Sequence, residues 1–240
     1  QYIPYPLSEV NMDFEVLGPS TQNGLVRVLL AASRSENVDQ RVETLAIGGL
    51  TTKVMDIESY AIERTFSLMM LDNLPHNPKV VALIDIGHKQ TTLYIAKDGE
   101  FIYNREQSFG GEQLTEAIQN HYGMPYHDAT IGKHEYTLAP DYRENVLMPF
   151  IENVVQQISR SLQFYFSSSE YNSVDHIVLC GGTANLPGLV EMVQERMGGL
   201  VSIANPFEGV SISNRIDTTA LQKDASSLLA ACGLALRSFD

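Results

Sequence analysis

The chain has 240 residues, 44% of them apolar, with 29 acidic against 16 basic side chains and a net charge of −13. That composition excludes disorder and low complexity and leaves length for one large domain or two small ones. It also argues against nucleic acid, whose backbone such a surface repels, as a partner. No apolar run approaches the roughly 18 residues of a membrane span and no signal peptide is visible, so a soluble cytosolic chain without direct membrane insertion is expected.

Residues 1–7 (QYIPYPL) are aromatic and proline-rich, hence extended. The chain opens without methionine in what reads as folded sequence, as a fragment would. Residues 12–17 alternate as a half-exposed strand does, Gly18-Pro19-Ser20 breaks them, and residues 26–32 form a second strand. Residues 35–48 place Val38, Val42, Leu45 and Ala46 at helical spacing, with Ser35 or Asn37 as N-cap and Gly48-Gly49 as the stop. A strand over 52–57 and a helix over 59–71 follow, so residues 10–57 read as a compact strand–strand–helix–strand unit. Residues 73–78 form a turn-rich linker.

Residues 80–92 (VVALIDIGHKQTT) open the central part of the chain. The β-branched run reads as a strand buried on both faces, ending in Asp85-Ile86-Gly87 and a polar turn, His88-Lys89-Gln90-Thr91-Thr92. Residues 93–96, the turn 97–100 and residues 101–103 complete an antiparallel meander. Successive N–H groups in such a turn make an anion-binding concavity beside the Asp85 carboxylate, and Gly87 lets a ligand approach the backbone. An ordinary hairpin with an Asp-x-Gly turn is the plainer alternative.

Gly110-Gly111-Glu112 leads into a helix over 113–122, and a short helix is expected near 128–135. Residues 144–167 carry the longest helical pattern, with Leu147, Phe150, Ile151, Val154, Val155, Ile158, Leu162 and Phe166 as a packing stripe. A strand over 174–179 then runs into Cys180-Gly181-Gly182-Thr183-Ala184-Asn185-Leu186-Pro187-Gly188 and a helix over 189–197. Two glycines after a buried strand leave room for a flat ligand on the backbone, and the following helix turns its N-terminal N–H groups to the same place. A β-to-α turn using glycine for geometry and Pro187 as helix starter is again the plainer alternative. A strand over 201–204, a loop over 205–215 and a small-residue helix over 225–236 close the chain. Cys180 and Cys232, both in apolar contexts, are expected as buried reduced thiols. His121, His127, His134 and His176 lack metal-ligand spacing.

The acidic hairpin, the long helix and the strand-Gly-Gly-turn-helix come in the order of the nucleotide motifs in the second half of the actin-like ATPase (ribonuclease H-like) fold. Residues 80–92 resemble that superfamily's second phosphate motif, residues 177–189 its adenosine motif, and Met55-Asp56-Ile57-Glu58-Ser59-Tyr60-Ala61 its connecting motif. The strings QYIPYPLSEVNMDFEVLG, VLLAASRSENVDQRVETL, REQSFGGEQLTEAI, VVQQISRSLQFYF and ACGLALRSFD make the whole chain similar to the PilM family. These are FtsA-like cytoplasmic components of type IV pilus machines.

The resemblance implies an α/β fold of the actin-like ATPase type, its second lobe complete and its first partial, with ATP and Mg²⁺ held in the interlobe cleft. Residues 1–57 would be a small α+β subdomain of the first lobe, and 58–78 a helix and linker of that lobe. Residues 79–108 and 168–224 would form the second-lobe sheet core, 109–167 its insertion, and 225–240 a C-terminal helix returning to the first lobe. Asp85 would hold Mg²⁺ through water, Gly87, His88, Lys89 and Gln90 would offer backbone N–H groups to phosphate, and Thr91 an additional hydroxyl. Glu58 is the candidate to orient an attacking water. Gly181, Gly182, Thr183 and Leu186 would line the adenine and ribose site, with Gly110, Gly111 and Glu112 closing it and Lys133 standing where the family's Ala-Glu-x-x-Lys motif has its lysine; Thr130 replaces the glutamate there. As side chains, His88 and Lys89 read as a solvated turn.

The implied partner is the N-terminal cytoplasmic tail of the inner-membrane protein PilN, on a surface including Tyr2, Ile3, Tyr5, Leu7 and Phe14. Other pilus platform and motor components, and self-association, are further partners the resemblance brings. The first phosphate motif of the fold finds no match, so ATP and Mg²⁺ are expected in the full-length protein, weakly bound or absent in this fragment by itself, with at most slow ATPase activity. A nucleotide-loaded adaptor at the membrane periphery is the leading reading, and an active ATPase or kinase the alternative.

Overall fold

The computed structural model describes residues 3–20, 22, 24–135 and 137–237, in two compact units, Gln1–Asp56 and Ile57–Asp240. The first is a hairpin and a helix. Strands β1 (Val10–Pro19) and β2 (Val26–Arg34) pair antiparallel, with Phe14 opposite Leu30, Val16 opposite Val28 and a register shift at Gly18. Helix α1 (Ser35–Ile47) packs on the hairpin, and Leu29 and Ala31 are half-buried. The opposite face carries Met12, Phe14, Val16, Val28 and Leu30, all exposed, Phe14 by 66%. Residues 52–57, expected as a strand, pair with nothing in the two-stranded sheet. An extended run becomes a strand only by sharing hydrogen bonds with a neighbour, and its composition alone cannot supply one.

The second unit is built on a five-stranded mixed sheet. Strands β3 (Val80–Ile86), β4 (Thr91–Lys97) and β5 (Glu100–Gln107) form the expected meander, and β6 (His176–Cys180) and β7 (Leu200–Ile203) join β3 in parallel, giving the order β5-β4-β3-β6-β7. Alternation divides the central strands between two cores. Ala82, Ile84 and Ile86, with Leu93, Ile95, Ile177 and Leu179, face helices α3 (Gly111–Tyr122), α5 (Met148–Ser168) and α6 (Leu189–Met197). Val81 and Leu83, with Tyr94, Ala96, Val178 and Cys180, face α2 (Glu58–Thr65) and α8 (Leu229–Ala235). Helix α4 (Tyr126–Glu135) follows α3 and packs on it. Of the helices described, none is long and apolar enough to cross a membrane.

Two helix expectations change. Helix α2 continues through a π turn, Phe66–Met70, and a 3₁₀ turn, Leu71–Asn73. The closing helix expected over 225–236 is a 3₁₀ turn, Ala225–Ser227, followed by α8, and a further helix not expected, α7 (Thr218–Asp224), precedes it. Asp217 starts α7 by accepting from the N–H groups of Thr219 at 2.9 Å and Ala220 at 3.1 Å, an N-cap signal visible in the sequence but unread. Helices α2 and α8 cross backbone to backbone: a Cβ on Gly233 would lie 1.7 Å from Ala61 O. The crossing is pinned by Arg64 Nη1 donating to Gly233 O at 2.7 Å and Thr65 Oγ1 to Leu229 O at 2.7 Å.

Candidate functional site

Parallel pairing of β3 with β6 sets Asp85 beside Cys180, so the two glycine-bearing turns leave the sheet side by side. Gly181 sits directly under the first turn: a Cβ there would lie 2.3 Å from Asp85 Oδ1 and 2.5 Å from Ile86 O, and its φ of +87° favours glycine. A Cβ on Gly182 would meet nothing within 4 Å, which leaves an open floor. Burial, and secondarily the charge of Glu58, push the Asp85 carboxyl up to about 6. Glu58 itself is exposed at the first residue of α2.

Sequence reasoning missed the neighbours of Asp85 on that face. Thr92 is its antiparallel partner, and Tyr94 follows two residues on, buried and stacked on Phe101 at 4.8 Å. Burial, then the charges of Asp85 and Glu58, raise the Tyr94 phenol, and burial raises the Cys180 thiol. The meander register would have given Thr92 and Tyr94. Ser226, whose carbonyl accepts from Gly181 N at 2.8 Å, comes only from the fold.

The expected anion turn is real in shape but differs in its donors. Gly87 N–H donates to Gln90 O at 2.9 Å, closing the turn, so Gly87 contributes geometry rather than a free donor. Among the described residues the N–H groups of His88, Lys89 and Gln90 have no backbone acceptor. Helix α3 does not aim its first N–H groups at open space either. Gly111 N donates to Gly87 O at 2.9 Å and Glu112 N to His88 O at 2.7 Å, while Gly110 N reaches Gln113 Oε1 at 2.8 Å. Gly110 is required by contact, since a Cβ would lie 2.6 Å from both Gly87 O and His88 O.

Thr183 is likewise turned to the hairpin, its Oγ1 donating to Gly87 O at 3.1 Å and its N–H to Ile86 O at 3.1 Å. Thr91 Oγ1 donates to Phe109 O at 2.7 Å, and Leu186 packs against the core beneath α6. Lys133, on α4, donates to Gly111 O at 3.1 Å and Thr115 Oγ1 at 2.7 Å. At the turn's tip the exposed His88 and Lys89 side chains lie 3.7 and 3.8 Å from Glu112 Oε1, and His88 Nε2 is 3.2 Å from Tyr126 OH. Asp85, Gly87–Gln90, Gly110–Glu112, Lys133 and Gly181–Thr183 therefore form one cluster.

In the first unit, the bare face of the hairpin forms a second feature, a trough of about 690 Å³. Ile3, Tyr5 and Phe14 line it with Val28, Leu30 and Arg34, and the Arg34 guanidinium lies over the Tyr5 ring at 5.5 Å. Leu7 is exposed in a short 3₁₀ turn away from the trough, and Tyr2 lies outside the described residues. The β2 side of the trough, Val28 and Leu30, is set by the pairing of β2 with β1, which the alternation of β1 by itself does not specify. A larger groove of about 860 Å³ runs between α5 and α6, lined by charges of both signs such as Glu152, Arg160, Glu195 and Arg196, and it is remote from this chemistry.

Comparison with known proteins now gives the fold its name. The chain is similar to the solved PilM-PilN type IV pilus biogenesis complex at 29% identity and TM-score 0.79, covering 98% of this chain and 68% of that one. EutJ, an ethanolamine utilization protein from Carboxydothermus hydrogenoformans, matches at 18% identity and TM-score 0.62, over 86% of this chain and 62% of its own. MreB 5 of Spiroplasma citri bound to AMPPNP matches at 15% identity and TM-score 0.52, over 84% and 64%. These likenesses show the actin-like ATPase fold. Cell division protein FtsA of Bacillus subtilis (strain 168) is 25% identical over 151 residues, 52% of this chain and 34% of that protein. The chain thus spans about a third of the length of the curated relatives it matches. The family described as type IV pilus assembly protein PilM matches residues 1–239, and this chain belongs to it.

Proposed function

We propose that the chain is the nucleotide- and partner-binding part of a cytoplasmic adaptor in the type IV pilus inner-membrane assembly platform. One observation carries the nucleotide half: the Asp85 carboxylate stands at a strand end against Gly181, beside a turn whose His88, Lys89 and Gln90 N–H groups have no backbone acceptor among the described residues. A desolvated carboxylate next to a row of amides without backbone acceptors suits Mg²⁺ and a polyphosphate. The residues fit that pair of ligands, and the open floor at Gly182 fits a flat base. Asp85 would hold the cation through water, and the turn amides would bind phosphate oxygens. Bound Mg²⁺ would neutralise phosphate charge. Glu58 would stay outside the coordination and orient a water.

The trough on the hairpin supports the partner half. It offers apolar side chains beside extended backbone, the surface an extended peptide needs. The PilM-PilN complex among the structural relatives points to the PilN tail as that peptide, which would hold the adaptor at the membrane periphery. Glu58, whose charge helps to raise the Asp85 carboxyl, favours a second reading, an active ATPase with its own turnover at the same site.

Calorimetric titration of ATP·Mg²⁺ into the intact protein tests the first half. Asp85→Ala is expected to lose on the order of 1.5–3 kcal/mol of affinity, and equal affinity would remove the assignment. For the second half, a synthetic tail peptide is pulled down with a folded Tyr5→Ala/Phe14→Ala double variant. Undiminished capture would place the partner elsewhere.

A further inference from the structure

Lys133 is a half-buried ammonium with an unusual set of partners. Its two hydrogen bonds, to Gly111 O at 3.1 Å and Thr115 Oγ1 at 2.7 Å, both end on the first turns of α3. Burial lowers its pKa. Gly111 O also accepts from Thr115 Oγ1 at 3.3 Å, and Thr115 is fully buried. That same first turn supplies the two N–H groups holding Gly87 O and His88 O.

A chain of hydrogen bonds thus runs from α4 through Lys133 and the Gly111 peptide to the carbonyls of the Asp85 hairpin. Pulling on Gly111 O polarises that peptide link and fixes the direction of the neighbouring N–H groups, so the ammonium is coupled to the turn without touching its tip. Thr183 Oγ1 would be 2.7 Å from a Cβ on Gly111 and also donates to Gly87 O, so the turn is held from a second side.

We propose that Lys133 is a positioning residue: it holds the first turn of α3, which holds the Asp85 hairpin in its anion-binding shape, and it makes no contact with a nucleotide's ribose. The consequence for affinity rests on the nucleotide reading above, whereas the positioning itself does not.

The experiment has two parts. In the intact protein without ligand, hydrogen exchange at the Gly111 and Glu112 amides is compared between wild type and Lys133→Met. Exchange there is expected to rise roughly tenfold, the local cost of one charge-assisted hydrogen bond, with the β6 and α5 amides unchanged. Unchanged exchange at Gly111 and Glu112 overturns the proposal whatever nucleotide does. Affinities for ATP·Mg²⁺ and 2′,3′-dideoxy-ATP·Mg²⁺ are then measured. The variant is expected to lose the same factor for both, and a loss confined to ATP would show a direct ribose contact and overturn the proposal. If wild type binds neither nucleotide, the nucleotide reading fails while exchange still judges the positioning. Should Lys133→Met exchange fast everywhere, amine acetylation of wild type decides. Lys133 is expected to label slowly with or without ATP, well after the exposed Lys89, and labelling as fast as Lys89 overturns the proposal.

Discussion

Gly181 and Gly182 are adjacent, yet replacement by alanine should be costly at the first and nearly neutral at the second. At Gly181 a methyl group would have to sit 2.3 Å from Asp85 Oδ1 and 2.5 Å from Ile86 O, with φ at +87°. Holding an L-residue in that region costs roughly 1–2 kcal/mol. Relieving the overlap, which involves rigid strand backbone as well as a side chain, costs roughly 1–3 kcal/mol more. The sum is about 3 kcal/mol, or a fall in Tm of about 6–12 °C for a domain this large. At Gly182 the new methyl meets nothing within 4 Å and the backbone is not left-handed, so Gly182→Ala is expected within about 0.5 kcal/mol of wild type. Thermal unfolding of the two variants side by side, followed by circular dichroism, reads the contrast. Equal melting temperatures would mean that β6 does not deliver Gly181 against Asp85, and the assembled site would fall with it.

The remaining predictions concern the same scaffold. Because burial and then Glu58 raise Asp85 from the ordinary carboxylate range to about 6, the ionised group opposes folding of the ligand-free protein. The native state then binds more protons than the unfolded chain between about pH 4 and 6, so this contribution to stability falls as pH rises through that window and stays low above it. Asp85→Asn should therefore melt higher at pH 8, by about 3 kcal/mol of stability, and the gap should close by about pH 4; a gap independent of pH would refute the shift. Gly233→Ala, whose methyl would lie 1.7 Å from Ala61 O, should force α8 off α2 and cost about 3 kcal/mol or more in urea denaturation. A loss under about 1 kcal/mol would contradict the close crossing. Gly110→Ala should loosen the hairpin through contacts of 2.6 Å with Gly87 O and His88 O, seen as faster exchange of the Gly111 and Glu112 amides with α6 unchanged.

Local pattern determined most of the elements from the sequence alone. The meander over β3–β5 follows from short β-branched runs separated by tight turns, and the stripe of α5 and the bounds of α6 from a period of 3.6, all signals that a short window contains. Asp85 and the Gly181-Gly182 pair were legible because a carboxylate or a double glycine at a strand end is itself a local signal. Resemblance to a family supplied the idea that the two belong together, and the parallel register of β3 with β6 is what joins them.

Only the tertiary structure decided which groups are free to act. Gly87, Gly111, Glu112 and Thr183 all carry donors that suit an anion, yet each spends its donor on the hairpin's own backbone. Lys133 is spent on α3, and residues 52–57 have strand composition yet belong to neither of the two described sheets. Hydrogen-bond satisfaction and desolvation depend on which atoms arrive from distant parts of the chain, so Cys180 joined the surroundings of Asp85, and Ser226 those of Gly181, only when β6 was set beside β3 and the 3₁₀ turn Ala225–Ser227 was brought to Gly181.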